Sequence, residues 1–265
     1  MITDILEKLM RREIDVREAE ALIRQALLRT EVLDNLVRLD VGRELRRAVP
    51  EIILAKGKPV ELVVKTALKL ASLSGRAIVS KAEKIHAEAI AAKAGKDFDV
   101  VFHEKASIVV VRHRGQEFPK VGGKVGIITA GSADVKVAEE AKVIVEELGC
   151  EVHGAYDVGV AGLHRLIEPL SRMLKEGVDV LIVAAGREGA LPAVVAGLVD
   201  IPVIGLPVST GEGMGGSGVA ALLSMLQSCS LGLAVVNIDG GVAAGVVAAL
   251  IARRAALKRH REGGD

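Results

Sequence analysis

The second half of the chain alternates between aliphatic runs and amphipathic stretches in a regular order. From Val125 onward, five aliphatic runs each precede a stretch of helical periodicity, at intervals of about 25 residues. The runs are VGIITAG, EVHGAYDVG, VDVLIVAAG, IPVIGLPV and LGLAVVNID. Continuous aliphatic strands separated by helices are typical of a parallel sheet that is covered on both faces. We therefore predict an α/β fold with a doubly wound parallel sheet of about five strands.

Composition agrees with this fold class and excludes several functions. Half of the residues are hydrophobic, and the chain has 29 glycines but no tryptophan, one tyrosine and three phenylalanines. Binding of nucleic acid by base stacking needs aromatic platforms, and a net charge of +1 attracts polyanions only weakly. Two cysteines in 265 residues make no disulfide framework, and no apolar run reaches the roughly 20 residues of a membrane span. We expect a cytoplasmic protein that binds neither nucleic acid nor membranes.

The first part of the chain has a different pattern. Residues 1–48 are charged and helical in periodicity, with one helix expected after Asp34 and continuing through Leu45. Residues 51–113 then alternate strand and helix patterns. We predict a smaller N-terminal helical and α/β domain over 1–114, a polar linker over 115–124 and a second domain over 125–265. The N-terminal domain either supports assembly or binds a partner, and the sequence leaves this open.

Polar and glycine residues follow every predicted strand of the second domain. Because the carboxyl ends of parallel strands share one edge of the sheet, where ligands bind, we predict a ligand site there. Its candidate residues are Gly131, Ser132, Asp134, Asp157, Arg187, Glu188, Ser209, Thr210, Gly211 and Asp239.

Each candidate has a structural alternative. Gly131 and Ser132 offer N–H groups and a hydroxyl to a phosphate, although a serine N-cap without a ligand fits equally well. His164 begins a helix, where a histidine is more often a surface or capping residue. Arg187 and Glu188 stand at a strand end, where a ligand is favoured over an internal ion pair. No strand is followed by GxGxxG and no GxxxxGK[ST] occurs, so neither a standard dinucleotide fold nor an NTPase is indicated.

The segment 203–239 combines a glycine-rich loop with a cysteine. The loop STGEGMGGSG, which includes Gly215, Gly216 and Ser217, lies between a strand and a helical run that carries Cys229 near its end. A cysteine in an apolar helix is usually inert core, so the pattern leaves Cys229 as either nucleophile or core residue. Cys150 has less claim to chemistry, and no Cys/His cluster has metal-ligand spacing.

Residues 125–255 resemble the PurE family of aminoimidazole ribonucleotide (AIR) carboxylases and mutases. GSADVKVAEEA resembles the family's GSxSD phosphate-binding turn, LHR its AHR segment, AAGREGALPAVVAGLVDIPVIGLPV its AGxAAHLPGxxAxxxxxPVIGVPV run, and LLSMLQSC its SLxSxxQMP segment. Four departures are informative. Arg187 and Glu188 replace the histidine of the AHLPG-like run, and Ser228 and Cys229 displace the proline that follows the glutamine. The turn at Ser132 lacks the family's second serine, and DVGVAGLHR is longer than its counterpart.

These departures, with LDVGRELRRAVPEIILAKGKPVELVVKTALKLA in the first half, are similar to the LarB family, which has a PurE-like C-terminal domain. The segments YDVGVAGLHR, GREGALP, GEGMGGSG and QSC carry this resemblance. It implies the first step of nickel-pincer nucleotide synthesis for lactate racemase-type enzymes. The pyridinium ring of nicotinic acid adenine dinucleotide (deamido-NAD) is carboxylated at C5 with CO2 or bicarbonate, and the phosphoanhydride is hydrolysed. The products are pyridinium-3,5-biscarboxylic acid mononucleotide and AMP.

The resemblance also implies roles for individual residues. Cys229 is the expected nucleophile, Glu188 the general base or the group that handles the carboxylated intermediate, and His164 a further catalytic candidate. Substrate binding falls to the strand-end residues and the glycine-rich loop. Mg²⁺ assistance of hydrolysis is a hypothesis, and neither ATP nor biotin is expected. We also expect a homo-octamer, or at least a tetramer, with sites shared between subunits. The alternatives are a true PurE-type AIR carboxylase or mutase, and a non-catalytic nucleotide-binding module with Cys229 in the core.

Overall fold

The computed structural model describes residues 2–262. Met1 and residues 263–265, which the sequence assigns to the ends of the two predicted domains, lie outside the described residues. The chain divides into two compact units, one containing 2–102 and 108–116 and the other containing 103–107 and the residues from 117 onward. Within the described part, no helix is both long enough and apolar enough to cross a membrane.

The first unit combines a helical pair, a hairpin and a mixed sheet. Its sheet has the order β3-β4-β6-β5, with β3 parallel and β6 antiparallel to β4. Its core contains residues of α4 and α5 packed on the buried side chains of β4 and β6. The elements are α1 (Ile2–Met10), α2 (Val16–Leu27), β1 (Glu31–Leu33), β2 (Val37–Leu39), α3 (Arg43–Arg47), β3 (Ile52–Leu54), α4 (Val60–Ser74), β4 (Arg76–Ser80), α5 (Lys84–Ala94), β5 (Phe98–His103) and β6 (Ile108–His113).

The prediction of a helix from Asp34 through Leu45 is wrong over its first part, because the helix there, α3, begins only at Arg43. Glu31–Leu33 and Val37–Leu39 instead form an antiparallel hairpin. Asp34 and Asn35 connect the strands with φ values of 50° and 53°, and Leu36 N–H donates to Leu33 C=O at 3.0 Å. Two central residues with positive φ define the type I′ turn that suits the twist of a hairpin, and Asn and Asp tolerate this conformation best after Gly. Local turn chemistry therefore outweighs the helical spacing of the leucines.

The second unit contains the predicted doubly wound sheet. Its five strands are all parallel, in the order β11-β10-β9-β7-β8. Because the connections run outward in opposite directions from the β7/β9 pair, the crevice at the carboxyl ends of β7 and β9 is the topological switch point. The elements are β7 (Lys124–Thr129), α6 (Val135–Glu147), β8 (Glu151–Ala155), α7 (His164–Lys175), β9 (Val180–Ala185), α8 (Leu191–Ala196), β10 (Val203–Pro207), α9 (Val219–Leu226), β11 (Leu233–Val235) and α10 (Gly241–Glu262).

Aliphatic burial and close helix packing hold this sheet together. Every residue of β9 and β10 is buried, which explains why their sequences are unbroken aliphatic runs. Helix α10 lies against α6 at a very short distance. A Cβ on Gly241 would lie 2.5 Å from Val137 O, and a Cβ on Gly245 would lie 2.6 Å from Ala141 O. Glycine is therefore required at both positions for the two helix backbones to approach each other.

Two local predictions near the site need correction. Ser132 does not cap the helix that follows β7: it begins a 3₁₀ turn, Ser132–Asp134, in which Asp134 Oδ2 accepts from Gly131 N–H at 2.9 Å. Cys229 does not lie in a helix either, because α9 ends at Leu226. After that point Ser228 Oγ accepts from Ser230 N–H at 3.1 Å. Such side-chain to backbone bonds compete with continuation of a helix.

Candidate active site

The carboxyl edge of the second sheet brings together the loops that follow β7, β9 and β10. Asp134 joins all three. Its Oδ2 accepts from Gly131 N–H, its Oδ1 accepts from Thr210 Oγ1 at 2.9 Å, and the Gly186 backbone also hydrogen-bonds to it. Asp134 is only 4% exposed, and burial raises the pKa of its carboxyl above the ordinary 3.8 despite these three bonds. We therefore assign Asp134 to loop positioning rather than to direct binding of phosphate or ribose.

Asp239 has a similar position at the outer strands. Its Oδ1 accepts from Ser209 N–H at 3.0 Å, and its own N–H donates to Pro207 C=O at 2.9 Å. Ser209 begins the glycine-rich loop, so Asp239 fixes the point where this loop leaves β10. Ser209, Thr210 and Ser217 are exposed and Gly211, Gly215 and Gly216 are half-buried, so the loop presents a polar surface at the edge.

Asp157 and Arg165 form an ion pair next to the switch point. Arg165 Nη1 lies 3.2 Å from Asp157 Oδ2, and Asp157 N–H donates to Thr129 Oγ1 at 3.0 Å. Both charged side chains are exposed, so solvent screens the pair and its contribution to stability is small. Sequence reasoning singled out Asp157 but missed Arg165 and Thr129. The sequence could have identified Arg165, because it directly follows His164 in the LHR segment. Nothing in the sequence distinguishes a threonine that ends a buried strand.

Four of the ten described non-glycine residues with left-handed backbone lie at this edge. Within residues 124–262 the non-glycine residues with positive φ are Asp157 (59°), Arg187 (47°), Ser217 (58°) and Asp239 (55°). All four lie in loops that follow strands at their carboxyl ends. Such conformations cost on the order of 1 kcal/mol each and persist where the surrounding structure imposes them, often at functional sites. Within residues 124–262, the strained non-glycine backbone and the polar strand-end residues therefore occur at the same edge.

Arg187 and Glu188 are available to a ligand. Both are exposed in the turn between β9 and α8, which closes with a hydrogen bond of 2.9 Å from Gly189 N–H to Gly186 C=O. No ion pair within 4 Å involves either side chain in the part of the chain that the structure describes. His164, the first residue of α7, is exposed as well. The edge therefore presents a guanidinium, a carboxylate and an imidazole to solvent.

Cys229 lies at the opposite edge of the sheet. Helix α9 runs back from the carboxyl edge, so the segment after it reaches the amino ends of the strands. Accordingly, Gly232 C=O accepts from the N–H of Val203, the first residue of β10, at 3.0 Å. Ser230 Oγ donates to Ala193 C=O at 2.7 Å and fixes the segment against α8. Strand β10 alone is about 13 Å long, so the topology of one chain assigns Cys229 and Glu188 to opposite edges of the sheet.

The two cysteines differ sharply in environment. Cys229 is exposed, whereas Cys150 is buried, and burial raises the pKa of the Cys150 thiol to about 11. Cys150 is therefore a packing residue, and Cys229 is the thiol that a substrate can reach. Among residues 2–262, no group of three or more His, Cys, Asp or Glu side chains is arranged to hold a metal ion.

Comparison with known proteins identifies the family. The model described as AIR carboxylase matches residues 124–261, and the model described as LarB/PurE-like N-terminal domain matches residues 30–114. The chain belongs to the LarB family. The two models occur in the order that the sequence resemblance implies, with the PurE-like domain carrying the parallel sheet.

Relatives of this LarB family member are of two kinds. An uncharacterized protein of Methanocaldococcus jannaschii is 44% identical over 95% of this chain and 97% of its own length. N5-carboxyaminoimidazole ribonucleotide mutases match about half of this chain. That of Pyrococcus abyssi is 35% identical over 54% of this chain and 85% of its own length, and that of Thermotoga maritima is 32% identical over 48% of this chain and 74% of its own length. A crystal structure of a Treponema denticola PurE2 variant superimposes with a TM-score of 0.40 at 23% identity, covering 56% of this chain and 92% of its own.

Proposed function

We propose that this protein carboxylates the pyridinium ring of deamido-NAD at C5 and hydrolyses the phosphoanhydride, releasing AMP and pyridinium-3,5-biscarboxylic acid mononucleotide. The observation that carries the proposal is the accessible Cys229 thiol, in the segment where the resembling PurE motif has a proline. A PurE-type carboxylase needs no thiol there, whereas carboxylation of an electron-poor ring does. The PurE-like domain and the LarB-type N-terminal match support the same assignment.

The chemistry explains why a thiol is required. An aromatic C–H on a pyridinium ring becomes a carbon nucleophile only after another group has added to the ring. The Cys229 thiolate forms a C–S bond, and the ring electrons that this displaces neutralise the ring nitrogen. C5 of the resulting dihydropyridine is enamine-like and forms a C–C bond to CO2. A base then removes the C5 proton, the C–S electron pair returns to sulfur, and the ring regains its aromaticity. No net oxidation or reduction occurs.

Glu188 is the proposed base for the C5 proton. Its carboxylate is exposed next to Arg187, whose guanidinium suits a substrate carboxylate or phosphate. Ser132, next to Gly131 at the start of the 3₁₀ turn, and the Ser209–Ser217 loop would hold the phosphates and ribose through hydroxyls and backbone N–H groups other than those of Gly131 and Ser209, which already donate to Asp134 and Asp239. His164 and the Asp157–Arg165 pair border the same edge. The described residues supply no complete metal site of their own.

The positions of Cys229 and Glu188 support the expectation of a homo-oligomer. Because the thiol lies at the amino edge and the carboxylate at the carboxyl edge, one site would take Cys229 from one copy and Glu188 from another. The surface around Cys229 fits burial by such a copy, since Leu226 is 62% and Leu231 91% exposed. We propose an octamer, or at least a tetramer, with sites shared between subunits.

The test is direct. The full-length protein is incubated with deamido-NAD and ¹³C-labelled bicarbonate. Release of AMP is followed by chromatography, and the mass of the mononucleotide product is measured by mass spectrometry. We expect AMP together with a product that carries one labelled carboxylate. Cys229→Ala should lose labelling, whereas the buried-site control Cys150→Ala should keep it. Absence of AMP from the wild-type protein would refute the proposal, and turnover of aminoimidazole ribonucleotide instead would establish the PurE-type alternative.

A further inference from the structure

Glu140 is a buried carboxylate that the proposed chemistry does not use. It lies in α6 and is only 1% exposed, which makes it less accessible than Asp134. Burial of a carboxylate costs several kcal/mol unless nearby dipoles or hydrogen-bond donors compensate for lost hydration. A hydrophobic side chain would suit the packing of α6 better than a charge. The position of Glu140 next to the start of α10 indicates the role of this buried carboxyl group.

The Glu140 carboxylate lies against the first residue of α10. A Cβ on Gly241 would be 2.7 Å from Glu140 Oε2, so the carboxylate occupies the space that glycine leaves open at the start of this helix. Helix α10 has 22 residues, and its aligned peptide dipoles place a partial positive charge at that end. The Glu140 carboxyl group therefore lies where the α10 dipole favours a negative charge.

The start of α10 is directly connected to the glycine-rich loop. Asp239, two residues before the helix, accepts from Ser209 N–H at 3.0 Å and donates to Pro207 C=O at 2.9 Å. It does so in a left-handed conformation, with φ 55°, which the neighbouring chain has to impose. Gly240 N–H closes the turn on Asn237 C=O at 3.0 Å. Any shift of the α10 N-terminus thus changes the position of the Asp239 carboxylate.

We infer that Glu140 is a positioning residue for the Ser209–Gly218 loop. It acts through Gly241 and Asp239: the carboxylate fixes the start of α10, the start of α10 fixes Asp239, and Asp239 fixes Ser209 at the exit of β10. The claim that this loop contacts a ligand rests on the proposed function, whereas the claim that Glu140 keeps the loop ordered does not. The two claims can therefore be tested separately.

Glu147 provides a matched control. It lies in the same helix seven residues later, is also buried at 6% exposure, and is two turns farther from the α10 N-terminus. Substitution of either residue by Gln replaces a buried carboxyl group of α6 with an amide of nearly the same shape. A purely structural role of buried carboxylates in α6 would make the two variants behave alike.

Amide hydrogen exchange measures the order of the loop without any substrate. In Glu140→Gln we expect exchange in residues 209–218 to accelerate by about ten-fold relative to wild type, with a larger effect in Glu140→Ala. Glu147→Gln should leave exchange in this loop unchanged, whatever it does to thermal stability. Equal effects of Glu140→Gln and Glu147→Gln on residues 209–218, or no effect of either, would overturn the inference.

Kinetics with deamido-NAD then tests the link to the site. We expect Glu140→Gln to raise KM for deamido-NAD by roughly ten-fold with a smaller change in kcat, because a mobile loop weakens binding. Glu147→Gln should keep the wild-type KM. If wild type fails to turn over deamido-NAD, the proposed function fails while the exchange result still decides the role of Glu140. If wild type is active and Glu140→Gln binds normally despite a mobile loop, Glu140 does not position the loop for the substrate.

Discussion

The Asp134 carboxylate and the Thr210 hydroxyl, 2.9 Å apart, connect the loops that follow β7 and β10 across the intervening strand β9. The backbone of Gly186, just after β9, lies beneath this contact: a Cβ there would be 2.1 Å from Thr210 Oγ1 and 3.2 Å from Asp134 Oδ1. One buried side chain therefore sets the relative positions of three loops at the switch point of the sheet.

The energy of this contact can be measured with a double-mutant cycle. We expect Asp134→Asn and Thr210→Val each to lower the free energy of unfolding by about 1–3 kcal/mol, because each leaves a hydrogen-bonding partner unsatisfied. The double variant should lose less than the sum of the two, with a coupling of about 0.5 kcal/mol or more in urea denaturation. Ser132→Ala, next to the cluster, should combine additively with Thr210→Val. Additivity between Asp134 and Thr210 would show that the contact contributes nothing.

Asp134 also predicts a dependence of stability on pH. Burial raises the pKa of its carboxyl above the ordinary 3.8, so the folded protein binds this proton more tightly than the unfolded chain does. The stabilising contribution is complete below 3.8 and is lost as pH rises through the folded-state pKa. We therefore expect wild type to lose stability relative to Asp134→Asn as pH rises above 3.8. Urea denaturation of both proteins at several pH values measures this difference in the free energy of unfolding. A difference that stays constant with pH would contradict this assignment.

The two thiols should differ in reactivity. Iodoacetamide at pH 8 should modify Cys229, which is exposed, and leave Cys150 intact, because burial shields Cys150 and raises the pKa of its thiol to about 11. Mass spectrometry should find one label on the native protein and two after unfolding. Native Cys229→Ala should take up none. Modification of Cys150 at a comparable rate would show that its site opens readily to solvent.

The sequence predicts the second sheet well because its pattern is redundant. Buried parallel strands are largely aliphatic, as in β9 and β10, and a glycine lies within two residues of the end of α6, α7 and α8. The hairpin at Asp34 and Asn35 was missed because its strands are only three residues long, too short for an alternating pattern. Two adjacent turn-forming residues decide the conformation there, and the periodicity of the surrounding leucines does not reveal it.

The candidate site was predictable in residue types but not in arrangement. Glycine and polar residues at strand ends predict a ligand site at the carboxyl edge, and four non-glycine residues with positive φ lie in the same loops. The role of Asp134 depends on a bond to Thr210, 76 residues away, which no local pattern encodes. The edge occupied by Cys229 does follow from topology, because a helix after a parallel strand runs back to the amino ends. The helical spacing of LLSMLQSC concealed the end of α9 at Leu226.

Gly186→Ala tests the packing beneath the Asp134–Thr210 contact. The added methyl would lie 2.1 Å from Thr210 Oγ1, so Thr210 must rotate away and the contact breaks. We expect a loss of about 1–3 kcal/mol in the free energy of unfolding. Thr210→Val should change the free energy of unfolding little when added to Gly186→Ala, since its hydrogen bond is already lost.

The control for the stability measurement is Gly197→Ala. Gly197 has a φ of −77°, and the nearest atom is 3.5 Å from the new Cβ, so this substitution should change the free energy of unfolding by less than about 1 kcal/mol. Equal effects at the two glycines would argue against close packing at Gly186.

Mixed assemblies test whether Cys229 and Glu188 act in different copies. Chains carrying Cys229→Ala and chains carrying Glu188→Gln should each be inactive alone, since each removes one reacting group. Co-expressed with different tags and purified as mixed oligomers, they should regain about one quarter of the wild-type activity, because random pairing gives that share of sites one intact group from each copy. Mixtures of Cys229→Ala with a doubly substituted chain should regain none. Mixed oligomers of verified composition that stay inactive would show that the two residues meet within one chain, against the topology of α9 and β11.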